Sequence, residues 1–254
     1  KNGVFSLINN VLFVEDHKQR GMYHPRIAAQ QSFIYERLQQ HEKDAFNRLY
    51  NHYFYERHNQ FWYDCAMEKL PELCEAAPML PCGEDLGMVP DCVPWVMNEL
   101  QLLSLEIQRM PKDPKHEFGH VEWYPERSVC TIGTHDMATF RGWWREDYSQ
   151  TCRYYYDILH FGGEVPGDAP GWVCEEVVRR HLNCPSMLTI LALQDWLAID
   201  EQLRHPDIES ERINVPANPR HYWRYRMHLS IESLLQQTAF NQRVTALVEQ
   251  SGRQ

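Results

Sequence analysis

The chain has 254 residues, 43% of them apolar and 12% aromatic, which is enough to bury the core of one large domain or two small ones. A formal charge of −10 counts against nucleic acid or an anionic membrane as the main partner, since both require a basic face. No apolar run approaches the length of a membrane span, nothing at the start resembles a signal peptide, and the first residue is Lys1 rather than Met, which suggests a processed, trimmed or partial chain.

Residues 1–28 lack sustained periodicity and read as a loop or short irregular elements. From about 41 to 57, Phe46, Leu49, Tyr50, Tyr53 and Phe54 recur at helical intervals and predict an amphipathic helix. A second helix is expected from Asn59 to about Leu73, with Pro71 ending it early. "MLPCGE" (79–84), followed by Gly87, reads as a short buried strand leaving into a loop. Val93, Val96, Met97, Leu100 and Leu103 trace the face of a helix, and Pro94 suits its first turn. Strands are expected at "LSLEIQR" (103–109), "VCTIGT" (129–134) and "LTILALQ" (188–194), the last leading into a helical "DWLAIDEQLR". A final helix spans roughly 233–250.

Strands alternating with helices predict βα units and a mostly parallel sheet. A complete (β/α)8 barrel needs about 250 residues, yet only four strands are legible and the first seventy or so residues look helical or irregular. The expected fold is therefore α/β, the second half of a (β/α)8 TIM barrel of about four βα units. Residues 1–75 would be a helical or irregular segment inserted in or preceding it, and 76–254 the half barrel with its terminal helix.

Eight cysteines, none paired at a two-residue gap, read as reduced thiols packed as small hydrophobes in a cytoplasmic protein. "HEFGH" (116–120) fits the H-E-x-x-H zinc signature, but that motif functions on a helix. Pro111, Pro114 and Pro125 flank it and Gly119 lies inside it, so a loop without metal is expected.

The acidic residues at strand ends are of more interest. Glycosidic bond chemistry with retention needs two carboxyl groups flanking the bond, one a proton donor and one a nucleophile. Glu84 and Asp136 follow two parallel strands, taken as neighbours, and functional groups in such sheets collect at the carboxyl ends. The alternative is that Glu84 and Asp85 cap a turn and His135–Asp136 form a strand-end hydrogen bond. Composition and spacing leave both open.

"CGEDLGMVPDCV", "LSLEIQRMPK" and "GTHDMATFRGWW", followed by "LALQDWLAID", "ERINVPANP" and "HYWRYRM", resemble consecutive motifs of the 4-alpha-glucanotransferases, the amylomaltase or disproportionating-enzyme family (glycoside hydrolase family 77). Within it the chain looks like the branch that includes the plant cytosolic enzymes, over most of its length from about residue 22. The resemblance implies transfer of alpha-1,4-glucosyl units from maltose or maltooligosaccharides to glucan acceptors, without a cofactor. It makes Glu84 the general acid/base and Asp136 the transition-state stabiliser. His135 would be a hydroxyl donor to the sugar, and Trp143, Trp144 or Trp223 could stack on sugar rings, although core packing serves each tryptophan equally well. Many members read "THDND" where this chain has "THDMA", so Met137 and Ala138 depart from the broader pattern. The family's nucleophilic aspartate lies in a segment resembling "RIDH", which these residues do not contain. Asp16 in "VEDHK" shares only two letters of it and is not assigned. The nucleophile and the N-terminal half of the barrel are thus expected outside this chain, which alone would be inactive. The competing reading is a non-catalytic glycan-binding or scaffold module.

Overall fold

The computed structural model describes residues 2–87 and 89–253; Met88, inside the "CGEDLGMVPDCV" motif, lies outside the described residues. The chain divides into two compact units, residues 1–79 with 88–100, and residues 80–87 with 101–254.

The first unit is helical with one small hairpin. Helix α1 (Asn2–Ile8) precedes strands β1 (Phe13–Glu15) and β2 (Tyr23–Pro25), which pair antiparallel. Residues expected to be irregular are therefore partly ordered. Gly21, at φ +84°, makes the turn back to β2, and its N–H donates to Glu15. The short α2 (Phe33–Glu36) is capped by Ser32. Helix α3 (Gln40–Asn51) follows and runs on through a π-helical stretch, His52–Arg57, into α4 (His58–Glu75). Phe46 and Tyr50 of the expected apolar stripe are buried with Ala29, whereas Leu49 is exposed. Pro71 lies inside α4 rather than ending it. Proline removes one i→i−4 bond but keeps a helical φ, and here the chain direction survives that loss. Helix α5 (Cys92–Glu99) closes the unit, with Pro94 in its first turn as expected.

The second unit is built on a parallel sheet. Strands β3 (Ser104–Ile107) and β4 (Ser128–Thr131) pair in register from Ser104↔Ser128 to Ile107↔Thr131. Helices α6 (Phe140–Glu146), α7 (Tyr148–Arg153) and α8 (Gly171–Leu182) follow. Strand β5 (Leu188–Thr189) then pairs with β4, giving the order β3-β4-β5. The expected strand 188–194 shrinks to these two residues because α9 (Leu193–Leu197) begins soon after, and its first turn is closed by Asp195 accepting from Ala192 N. The C-terminal helix is split into α10 (Ile231–Leu235) and α11 (Thr238–Gln250). Asn241 explains the break: its amide donates to the carbonyls of Leu234 and Leu235, which a continuous helix would have used internally.

The expected strand 79–84 is one rung deep. Cys82 bridges Leu103 in parallel, Gly83 N donates to Leu103 O, and Leu103 N to Pro81 O. Met79 and Leu80 are exposed, so this is not a buried strand. The ladder stops because the next donor on that side, Leu105 N, is taken by the Asp85 carboxylate at 2.9 Å. The helices pack a core that includes Trp144, Tyr154, Leu159, Val173, Val177 and Ile199. Tyr154 is anchored by its hydroxyl donating to Gln108 at 2.6 Å, a buried hydrogen bond from the first π-turned residue after α7 to the end of β3. Among the described residues no helix is long and apolar enough to cross a membrane.

Candidate active site

Loops at the carboxyl ends of a parallel sheet are free of the ladder and can present side chains to a ligand. Four segments run in parallel here, in the order Cys82 bridge, β3, β4, β5. Glu84 leaves the first and Asp136 leaves the third. The two acidic residues are therefore not on neighbouring strands, as the sequence suggested: β3 lies between them. Two inter-strand steps place the strand axes roughly 10 Å apart.

Glu84 is exposed and makes no hydrogen bond or ion pair among the described residues. Its neighbour Asp85 is held fast. One oxygen accepts from Leu105 N, and the other accepts from Lys112 Nζ at 2.6 Å. Lys112 also donates to Glu106 at 2.7 Å, and Ser104 Oγ donates to the same Glu106 oxygen at 2.9 Å. Asp85 thus caps a strand rather than a turn, and Glu84 projects from a loop fixed one residue away. Gly87, at φ +83°, lets the chain turn out of this loop.

Asp136 sits in the loop after β4, its side chain half exposed. Its Oδ1 accepts from Asn214 Nδ2 at 2.6 Å and lies 3.4 Å from His135 Nε2. The Asn214 N–H donates to the His135 carbonyl at 3.1 Å, so one residue of the "ERINVPANP" segment grips both members of the pair. His135 in turn lies 4.7 Å, ring to ring, from Trp223, which is 61% exposed. His135, Asp136 and Trp223 form one surface cluster.

Trp143 does not belong to it. It is 7% exposed, its indole N–H donates to Gln150, the Arg109 guanidinium lies over its ring, and Tyr154 packs against it in a T-shaped contact. A ring so buried is not open to a sugar; the corrected position is the core. Trp144, 1% exposed, is also a core side chain.

Arg109, at the end of β3, reaches under the Asp136 loop. Its Nε and Nη2 donate to Ile132 O at 3.3 and 3.1 Å, and Nη2 donates also to Ala138 O at 3.1 Å. Gly133 leaves the space that Arg109 occupies, since a Cβ there would lie 2.5 Å from Nη2 and the guanidinium would have to shift. Arg109 Nη1 is shut off from solvent without a hydrogen-bond partner. It borders a small cavity of about 60 Å³ lined also by His135, Thr139, Gln194, Asp195 and Glu211. Burial pushes the Asp195 carboxyl up to about 6 despite the nearby charge of Arg109. Burial likewise raises Glu211, against the pull of Arg141, to which it is bonded at 2.6 Å.

The "HEFGH" segment is a loop. Glu117 is paired with Arg153 at 2.6 Å, Phe118 is buried in the core, and His120 stacks on Trp123. Among the described residues no three His, Cys, Asp or Glu side chains gather as a metal site.

Sequence reasoning did not assign Asp85, Lys112, Arg109 or Asn214. Arg109 and Lys112 lie in a quoted motif, "LSLEIQRMPK", and the signal was available there: a strand of apolar residues that carries Glu106 and ends on two cations has partners to find.

Comparison with known proteins follows the same line. The profile of the 4-alpha-glucanotransferase family, glycoside hydrolase family 77, matches residues 25–231. The chain is 37% identical over 253 residues to the 4-alpha-glucanotransferase DPE2 of Oryza sativa subsp. japonica, covering 100% of this chain and 27% of that protein. It is 28% identical over 177 residues to a 4-alpha-glucanotransferase of Chlamydia pneumoniae, covering 68% of this chain and 33% of the relative. It therefore spans about a third or less of the length of these relatives. Its fold is similar to that of an amylomaltase from Streptococcus agalactiae solved in complex with acarbose, with a TM-score of 0.54 at 19% identity, over 74% of this chain and 35% of the other.

Proposed function

Since the chain belongs to the 4-alpha-glucanotransferase family, glycoside hydrolase family 77, we propose that it supplies the acid/base side of a retaining glucanotransferase site, with Glu84 as general acid/base and Asp136 as transition-state stabiliser. The observation that carries this reading is the placement of both loops at the carboxyl end of one parallel sheet, flanking β3. The substrates would be maltose or maltooligosaccharides and a glucan acceptor, in the cytoplasm; the eight free cysteines fit a reducing compartment. Residues 1–75 would be a helical insertion or preceding segment, and the half barrel of 76–254 would meet its other half in sequence outside these residues.

In the reaction, an aspartate from that other half attacks the anomeric carbon while Glu84 gives its proton to the departing glycosidic oxygen, leaving a covalent glycosyl-enzyme. Glu84, now a carboxylate, takes the proton from an acceptor sugar hydroxyl as that oxygen attacks, which restores the nucleophile. With no partner among the described residues, both of its oxygens are available for this exchange. Asp136 is suited to a different task. Asn214 fixes one of its oxygens, so the other can meet a sugar hydroxyl in a constant orientation, and His135 lies beside it as a donor. Trp223, tilted against His135 and largely exposed, offers an apolar face to a neighbouring ring. Transfer rather than hydrolysis requires the acceptor sugar to exclude water from the glycosyl-enzyme.

The test is Glu84→Gln in the full-length protein. Disproportionation of maltotriose is expected to fall by about 10²–10⁴-fold, the usual contribution of a general acid, with glucan binding retained by calorimetry. Turnover close to that of the parent would remove Glu84 from the acid role, and a raised KM and weakened glucan binding at unchanged kcat would favour a purely glycan-binding role.

A further inference from the structure

The strand between the two acidic loops bears neither acidic residue of the site, yet its carboxyl end bears two cations that reach in opposite directions. We infer that Arg109 and Lys112 are positioning residues that set the separation of Glu84 and Asp136; the inference rests on the roles given to those two residues above.

Lys112 reaches one way. Its ammonium bridges Asp85 and Glu106, at 2.6 and 2.7 Å, and so ties the loop carrying Glu84 back to β3. Asp85 is the hinge point of that tie, because its other oxygen occupies the β3 donor Leu105 N. Arg109 reaches the other way. It joins Ile132 O to Ala138 O, the two carbonyls that bracket the loop of His135 and Asp136. The loop is thereby closed across residues 133–137 by a planar group lying where a Cβ on residue 133 would sit, so a larger residue there must displace it. A charged donor to a carbonyl or carboxylate in such a setting is among the stronger hydrogen bonds a protein makes.

Lys112 is engaged by two carboxylates and Arg109 by two backbone carbonyls. Lys112 holds the carboxylate of the residue next to Glu84, and Arg109 holds the carbonyls four residues before and two residues after Asp136, so each ties down a loop whose acidic side chain must meet the same bond. Placement errors of about 1 Å at reacting groups cost on the order of 10²-fold in rate. A tie on each side of a common strand fixes both groups to one reference. The two ties are independent, since they share no atom and serve different loops.

Two measurements test this. In the 254-residue chain, hydrogen exchange followed by mass spectrometry reads the loops without reference to activity. Arg109→Met is expected to speed exchange at least tenfold in residues 133–138 and leave 83–87 unchanged; Lys112→Met should do the reverse. Gly133→Ala, which pushes the guanidinium away by another route, should reproduce the Arg109→Met pattern, and the double variant should add nothing further. In the full-length protein, each substitution should lower kcat for maltotriose disproportionation by about tenfold to a hundredfold with KM within threefold; Lys112→Arg should recover most of the loss and Arg109→Lys only part. Should Glu84→Gln keep normal turnover, the catalytic reading fails while the exchange data still decide whether the ties exist. Should Glu84→Gln be inactive and the Arg109 and Lys112 variants keep kcat within twofold, or lose only KM, the positioning role is overturned on its own. Unchanged or uniformly raised exchange in both loops overturns it as well.

Discussion

Asp195 and His181 are buried titratable groups whose ordinary charged forms are both disfavoured, and they pull stability in opposite directions with pH. Burial raises the Asp195 carboxyl from 3.8 to about 6. The unfolded chain ionises it near 3.8, so the folded state is progressively penalised as pH rises from about 4 through 6, by roughly 3 kcal/mol in full. His181 donates its Nδ1–H to Val177 O at 2.7 Å, leaves Nε2 unpartnered, and is driven by burial down to about 4. Its penalty grows the other way, as pH falls from 6.5 toward 4 and the unfolded state gains a proton that the folded state refuses. The expected outcome for Asp195→Asn is therefore a stability advantage over the parent that increases between pH 4 and pH 7 by about 2–3 kcal/mol. Urea midpoints across that range check it, and a pH-independent offset would show that the carboxyl is not raised. The same substitution alters the wall of the cavity that Arg109 also lines, so any change in turnover should be read beside the stability curve.

Helices and turns of the second unit are joined by buried polar contacts as well as by apolar packing. Helix α6 presents Arg141 to Glu211, in the 3-10 turn Glu209–Glu211, and both side chains are almost fully buried. Arg141 Nη1 also donates to His205 O, Thr139 Oγ1 donates to Glu211, and Gln194 donates to the Glu211 carbonyl. The net worth of such a pair against a hydrophobic replacement is small, but removing one partner strands a charge. Glu211→Ala is accordingly expected to cost about 3–5 kcal/mol, and Arg141→Leu added to it should recover a large part. Denaturation midpoints of the two single variants and the double variant test this. The consequence extends to the site, because Glu211 lies three residues before Asn214. Loosening that turn should free the Asp136 carboxylate from its 2.6 Å donor and lower turnover more than glucan affinity.

A three-stranded parallel sheet flanked by a one-rung bridge leaves backbone groups of β5 and of the Cys82 segment without ladder partners on their outer sides among the described residues. Parallel sheets are ordinarily covered on both faces and continued at their edges. Met187, Leu188 and Ile190, on and beside β5, are partly or largely exposed. The 254-residue chain is therefore expected to self-associate at micromolar concentration, and analytical ultracentrifugation over a concentration series reads this directly. It should also fail to disproportionate maltotriose, since the nucleophile is assigned to sequence outside it; Glu84-dependent product formation by this chain would place the attacking group within it.

The sequence by itself determined the fold class and the family. Alternating strands and helices, with acidic residues at strand ends and motifs in a fixed order, depend on local propensity and on residues close together along the chain. It also made visible that "HEFGH" cannot be helical, because proline and glycine act locally. Only the tertiary structure decided which tryptophan faces solvent, since Trp143 and Trp223 differ in what packs on them rather than in their flanking letters. It alone showed that β3 separates Glu84 from Asp136, because strand order is not written in strand sequence. The partners of Asp85, Lys112, Arg109 and Asn214 were hidden for the same reason. A hydrogen bond between residues 20 to 78 positions apart exists only once folding has set the distance between them.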